Sequence, residues 1–306
     1  MKVVHVSRTR VSGAPETLSR ALDLVPGIRS VYANLHKIQA NPEGLGFLLQ
    51  GADIIHWHNH VNPNLYNSLK HLKHVIHYHS EPSSSDIFEI VDRIPSHFKK
   101  LTLPHYHSSL QSFKDCEPIR NVVDISPGDL IHPSDYTIHA DRLMVAYSYS
   151  HTASWGVWQR KGKRETQNVM ERVINHFRGK IDVRFDLIEG ASYRECLYRK
   201  SSADIILDEC VTPSYHLSSL EGLAVGRPTI CWIDDRVENA LLKCSGAKEQ
   251  PFHSVYIGWL EDYLIDMIEK GPEYIKSEGK KAKRWFDKYW SIQDVIKDYI
   301  NVYHTL

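Results

Sequence analysis

Asp204-Ile205-Ile206-Leu207-Asp208, then, after a short loop, Ser214-Tyr215-His216-Leu217-Ser218-Ser219-Leu220-Glu221-Gly222-Leu223-Ala224-Val225-Gly226-Arg227-Pro228-Thr229-Ile230: the reading of the chain turns on this stretch. An apolar run ends in acids. A helical pattern then opens on hydroxyls, carries Glu221 one turn in and stops at Gly-Arg-Pro, where a second apolar run begins. A helix that starts this way points unpaired backbone N–H groups, and the positive end of its dipole, at whatever lies ahead of it. That is a seat for a phosphate. A carboxylate one turn in can accept hydrogen bonds from sugar hydroxyls. Together these parts suit a nucleotide diphosphate-sugar.

Outward from this stretch, short apolar runs alternate with helical patterns. Strands are predicted at residues 3–6, 53–57, 75–78, 101–103, 122–123, 143–147, 183–188, 205–207 and 229–232. Helices are predicted at 16–24, 64–72, 166–177, 193–201 and 217–225, with a helical tail from Leu260. Such alternation implies parallel sheets with helices on both faces. Ligands of such sheets sit beyond the carboxyl ends of the strands. The Pro- and Gly-rich region from Ser126-Pro127-Gly128 to His132-Pro133-Ser134 is the best domain boundary.

The 306 residues suffice for two domains. Lysine plus arginine equals aspartate plus glutamate, so bulk charge gives no hint of a nucleic-acid partner. Five scattered cysteines without a Cys-x-x-Cys pair point to a reducing compartment. The chain enters a strand at Lys2-Val3-Val4-His5-Val6 rather than a signal peptide, and it has no apolar run of about 18 residues. A cytoplasmic protein is expected, with peripheral attachment at the inner membrane face as a variant of that reading.

The opening stretch resembles the donor-site motif of retaining glycosyltransferases with the GT-B fold, glycosyltransferase family four in particular. That motif is a Glu, seven residues, a second Glu, and a small-residue helix ending in Gly-x-Pro. Glu221 matches the second Glu, and Gly226 with Pro228 the Gly-x-Pro. The first Glu falls on Pro213, a departure at a functional position. Weaker matches follow in order: Val3 to the Gly13-Ala14 pair, Asp53-Ile54-Ile55-His56, Val75-Ile76-His77-Tyr78-His79, Arg120-Asn121-Val122-Val123-Asp124, Ser148 to Ser150 followed by Lys161-Gly162, and the tail from Gly279. The resemblance implies two Rossmann-like α/β domains facing a cleft, 1–135 on the acceptor side and 136–285 holding the nucleotide-sugar. A closing helix, 286–306, crosses back to the first domain.

It further implies a metal-independent hexosyltransferase that uses a nucleotide diphosphate-sugar, UDP most readily, and retains configuration. The acceptor hydroxyl would belong to a glycan, a lipid-linked sugar or a small molecule. No cofactor is expected. Lys161, with Arg160 as partner or substitute, would contact the diphosphate, where cations stabilise the charge of the departing group. His216, Leu217 and Ser218 would form the phosphate-facing helix start, Glu221 would meet the ribose, and Gly13 would face the phosphates from the first domain. His79 would face the reacting sugar. With Pro213 in place of the first Glu, either Glu209 or Asp208 substitutes, or the donor sugar is held differently, or catalysis is lost; the plainer reading of the two acids is that they are solvated at a loop start. The alternatives are a nucleotide-sugar epimerase of the same fold, a degenerate sugar-nucleotide-binding module, and a transferase acting on modified nucleic-acid bases.

His56, His58 and His60 alternate along a strand, and His77 and His79 follow the same period. Imidazoles on one face can bind zinc or nickel. With no acid or cysteine among them, the favoured reading is a polar cleft lining, and no metal site is expected. The cationic and aromatic segment from Lys280 to Trp290 is read as a packed closing helix with a charged outer side, rather than a lipid-binding face.

Overall fold

The computed structural model describes residues 1–38, 42–79, 93–126, 130–131, 137–149 and 162–306. They divide into two units, Met1–Asp124 with Ile292–Leu306, and Ile125–Ser291. Along the chain the first unit contains β1 (Lys2–Ser7), α1 (Ala14–Asp23), β2 (Arg29–Asn34), α2 (Leu35–Ile38), α3 (Pro42–Leu49), β3 (Ile54–His58), α4 (Pro63–Leu69), β4 (Lys73–Tyr78), β5 (Lys99–Thr102) and β6 (Glu117–Pro118). The second contains β7 (Arg142–Ser148), α5 (Lys163–Phe177), β8 (Asp182–Ile188), α6 (Tyr193–Ser202), β9 (Ile205–Leu207), α7 (Leu217–Ala224), β10 (Thr229–Cys231), α8 (Asp235–Ser245), β11 (His253–Ser254), α9 (Leu260–Glu269) and α10 (Pro272–Tyr289). The last helix, α11 (Ile292–His304), returns to the first unit.

Both sheets are parallel. The first runs β2-β1-β3-β4-β5-β6 and the second β11-β10-β9-β7-β8. In each, the second strand pairs on one side of the first and the third strand on the other. The chain therefore reverses direction between β1 and β3, and again between β7 and β9. Crevices at such reversal points, beyond the strands' carboxyl ends, are where open α/β sheets bind ligands.

Period-two alternation divides each sheet into faces. In the first unit Val4, Val6, Ile55, Trp57, Ile76 and Tyr78 enter one apolar core with Phe98 and Phe113. The other face carries His5, His56, His58 and His77, placed together by the register pairs His5 with His56 and His58 with His77. In the second unit Leu143, Val145, Tyr147, Ile205, Leu207 and Ile230 meet Val169, Met170 and Val173 of α5 and Leu260, Leu264 and Met267 of α9. Burying each such aliphatic side chain contributes about 1.5–3 kcal/mol.

Several elements differ from expectation. Residues 122–123 form no strand. Helix α4 ends at Leu69 rather than 72. β2, α8 and β11 were not anticipated. The passage between units falls at Asp124 and Ile125. Residues 127–129 and 132–136 of the Pro- and Gly-rich stretch lie outside the described residues.

Candidate functional site

Helix α7 is held at both ends by its sequence. At its C-terminus Gly226 adopts φ +73°, a left-handed conformation that glycine accepts at no steric cost. Its amide donates to the Leu223 carbonyl at 3.0 Å and the Arg227 amide to the Gly222 carbonyl at 3.0 Å, the paired bonds of a Schellman stop. Gly222 lets the helix lie on the sheet, because a Cβ there would stand 2.3 Å from Thr229 Oγ1. Gly279 of α10 receives the Gly226 carbonyl, 2.4 Å from where its own Cβ would be. The buried Arg227 guanidinium donates to the carbonyls of Ser201 and Ala203. Gly-Arg-Pro therefore fixes the helix, whatever lies at its other end.

The N-terminus of α7 sits at the reversal point between β7 and β9. His216 caps it in extended conformation, and Leu217 and Ser218 follow, half-buried. By helix geometry their amides have no intrahelical acceptor. Asp208, just past β9, turns a carboxylate oxygen to the His216 amide at 3.1 Å and to the Ser219 hydroxyl. The Ser218 hydroxyl lies 2.7 Å from that of Ser148 at the end of β7. On the far side of the acids, Gly162, at φ +65°, caps α5 and packs against Val211, since a Cβ there would meet Val211 Cγ2 at 2.4 Å.

Asp208 and Glu209 are buried, at 3% and 1% exposure, which overturns the reading of them as solvated loop acids. They bracket the His216 imidazole, Nδ1 lying 3.3 Å from Asp208 and Nε2 3.6 Å from Glu209. Glu209 Oε1 accepts from the Thr212 hydroxyl. Burial, reinforced by these two carboxylates, pushes the Tyr147 phenol up, so it stays protonated beside them.

Glu221 is buried as well and forms an ion pair through Oε2 with Lys200 of α6, itself 1% exposed. Burial alone would push the Lys200 ammonium down. The Glu221 carboxylate, together with Cys196 and Asp208, offsets this and holds the pKa above the ordinary value. Lys200 also donates to Ser218 Oγ at 3.0 Å. A chain thus runs from Glu221 through Lys200 and Ser218 to Ser148, across the reversal point. Sequence reasoning missed Lys200. The available signal was helical phase, since Lys200 lies three residues after the buried Leu197 and shares its inward face.

The reversal point of the first unit has different chemistry. His5, His56, His58 and His77 are at most 1% exposed. His5 Nδ1 lies 3.0 Å from His58 Nε2, and His58 Nδ1 lies 2.7 Å from His79 Nε2. Burial first, then the neighbouring imidazoles, lower the pKa of His56 and His58 well below the ordinary range and that of His5 to about 3. Burial takes His79 to about 3 as well, against the opposing influence of a hydrogen bond to the Asn121 side chain. Helix α11 covers this face: Tyr303 hydroxyl is 2.7 Å from His56 Nδ1, and Tyr299 donates to the Arg120 carbonyl at 2.9 Å. The expectation that His60 shares this face is not met. The strand ends at His58, Asn59 turns left-handed at φ +60°, and His60 instead lines a pocket of about 280 Å³ with Arg8, Leu35, His36 and Asn62.

Gly13 caps α1 at φ +82°, after Val11 at +45° and Ser12 at +52°. Three successive left-handed residues, one of them β-branched, make a strained turn between β1 and α1. Arg160 and Lys161 lie outside the described residues. Their neighbour Lys163 forms an ion pair with Glu189 and lies 5.1 Å from the centre of the Tyr149 ring. Among the described residues, no helix is long and apolar enough to cross a membrane.

No protein-family model matches the chain. No curated protein matches it either. Solved structures do. A sucrose-phosphate synthase from Thermosynechococcus elongatus superposes with TM-score 0.62 at 11% identity, over 100% of this chain and 99% of that one. A glycosyltransferase from Rickettsia africae gives 0.60 at 11%, over 99% and 97%. The HepE protein of Anabaena, solved in complex with UDP and glucose, gives 0.61 at 11%, over 100% of both chains. This likeness shows the fold: two Rossmann-like α/β units of the kind found in GT-B glycosyltransferases.

Proposed function

We propose that the chain is a glycosyltransferase that moves a hexose from a nucleotide diphosphate-sugar, UDP-linked, to a hydroxyl acceptor, with retention of configuration. One observation carries this reading: the N-terminus of α7 stands at the reversal point of the second sheet, with the Ser148, Ser218, Lys200 and Glu221 chain beside it. A diphosphate there would accept from the Leu217 and Ser218 amides and gain the helix dipole. Lys200 engages only one oxygen of Glu221, which leaves Oε1 to accept from a ribose hydroxyl. The UDP-bound state of the structurally similar HepE supports the same donor class.

In this reading the reaction needs charge stabilisation more than a protein nucleophile. The glycosidic C–O bond lengthens, negative charge collects on the departing β-phosphate, and fixed N–H donors favour that state over the ground state. The departing phosphate takes the acceptor proton on the same face. Lys161 and Arg160 would add positive charge. Glu209 and His216 stand in for the acid absent at Pro213. Pro213 favours one other reading, a binding module without turnover.

A panel of nucleotide-sugars separates these readings and the epimerase. Release of nucleoside diphosphate only when an acceptor pool is added supports the transferase. Tight donor binding with no turnover under any acceptor overturns it in favour of the module. A new sugar isomer on the nucleotide, with no acceptor present, overturns it in favour of an epimerase.

A further inference from the structure

The histidine face of the first unit is richer than a nucleotide-sugar site requires. Five imidazoles on β1, β3, β4 and the residue after β4 lie ring to ring, His56 and His58 stacked with centroids 4.4 Å apart, His5 and His56 tilted at 4.8 Å, and His77 and His79 tilted at 3.8 Å. Stacking of this kind gives some packing energy. It does not satisfy the ring nitrogens. His5 Nε2 and His56 Nε2 are buried and have no hydrogen-bond partner among the described residues. Each such atom carries a desolvation cost unless something binds it.

The other nitrogen of each ring is engaged, and the tautomer in which it donates leaves the free one as an acceptor. Let His56 Nδ1 donate to the Tyr303 hydroxyl, and His5 Nδ1 to His58 Nε2. Nε2 of both His5 and His56 then offers a lone pair that nothing among the described residues uses. For His56 this is the orientation of a metal-ligating histidine, its second ring N–H donated to Tyr303. His5, His56 and His58 each bring one ligating atom within 4.8 Å of the others, and His58, His77 and His79 do the same. The neutral imidazole is the ligating form.

We propose that His5, His56 and His58 bind one divalent transition-metal ion in the first unit. Three imidazole donors without a thiolate suit Zn²⁺, Co²⁺, Ni²⁺ or Cu²⁺, and suit Mg²⁺ or Ca²⁺ poorly. His58 has to exchange its hydrogen bond to His5 for the ion, and the atoms must close by up to about 1.5 Å to reach tetrahedral spacing. The ion would tie β1 to β3 at the reversal point, and α11 would seal it through Tyr303. This site is independent of the donor-binding reading of the second unit.

The test uses tag-free full-length protein, expressed in medium supplemented with zinc or with cobalt, so that metal enters during folding. The expected result is close to one metal ion per chain by elemental analysis, and a visible ligand-field absorption from the cobalt form. Removal by chelator under mild denaturant should lower the melting temperature. His56→Ala and His5→Ala should each reduce bound metal at least about 100-fold in affinity. Wild-type protein that carries no metal from either medium overturns the proposal. So does a cobalt spectrum unchanged in a folded His56→Ala chain, which would place the ion elsewhere. Since the wild-type measurement stands alone, poor folding of a variant leaves the proposal exposed to refutation.

Discussion

The two sheets share a strand order and a reversal point, yet they fill it with opposite chemistry. Between β1 and β3 stand stacked neutral bases, with no acid among them. Between β7 and β9 stand two buried acids, a bracketed imidazole and an ion pair, Lys200 with Glu221. The topology creates the crevice in both units, and side chains decide what enters it. Neutral imidazoles with free lone pairs attract a cation. A helix start with unpaired amides attracts an anion, and the nearby Lys200 offsets the charge of Glu221.

The largest expected effect tests the charged half. Lys200→Ala leaves Glu221 buried without its cation and should cost about 3–5 kcal/mol in urea unfolding. Lys200→Met combined with Glu221→Leu should recover most of it, because a well-packed apolar pair can replace a buried ion pair. A single-change loss below about 1 kcal/mol would mean that the pair is not buried in solution, and the contrast between the two reversal points would weaken.

A smaller effect concerns how α7 is placed. Gly279→Ala drives a Cβ toward the Gly226 carbonyl, and Gly222→Ala drives one toward Thr229 Oγ1 and Ile206. Each should cost about 1–3 kcal/mol by overpacking. If either is neutral by thermal unfolding, the helix is not held where its N-terminus meets the sheet.

The smallest concerns the neutral half. Tyr303→Phe removes the hydroxyl from His56 and should cost about 1 kcal/mol. The loss should appear in hydrogen exchange of β1 and β3, with β7 and β9 unchanged. Equal loosening of both sheets would show that α11 does not act on the histidine face alone.

Much of this was legible in the sequence, for identifiable reasons. Residues 205–207 and α7 follow directly from an apolar run and a small-residue helix stopped by Gly-Arg-Pro. β2 was hidden because Arg29 and Asn34 bound a run with two apolar residues, and its strand character comes from pairing with β1. Residues 122–123 looked like a strand by β-branching, but no neighbouring strand pairs with them. The histidine alternation was visible. Its burial was not, since Tyr299 and Tyr303 come from the far end of the chain. Asp208 and Glu209 read as solvated because their partners, His216, Ser219 and Thr212, are brought to them by the turn after β9. Lys200 carries no motif at all. Only its place on a helix face gives it away.

The central claim is that the amides opening α7 hold a pyrophosphate, and Leu217→Pro tests it most directly. Proline is tolerated at the first helical position, and His216 is already extended as the residue before a proline requires. The change therefore removes one N–H donor and little else. UDP titration by calorimetry should show wild-type binding that weakens about 10–100-fold in Leu217→Pro, with the melting temperature of the free protein nearly unchanged. Equal UDP affinity in both proteins would contradict the account.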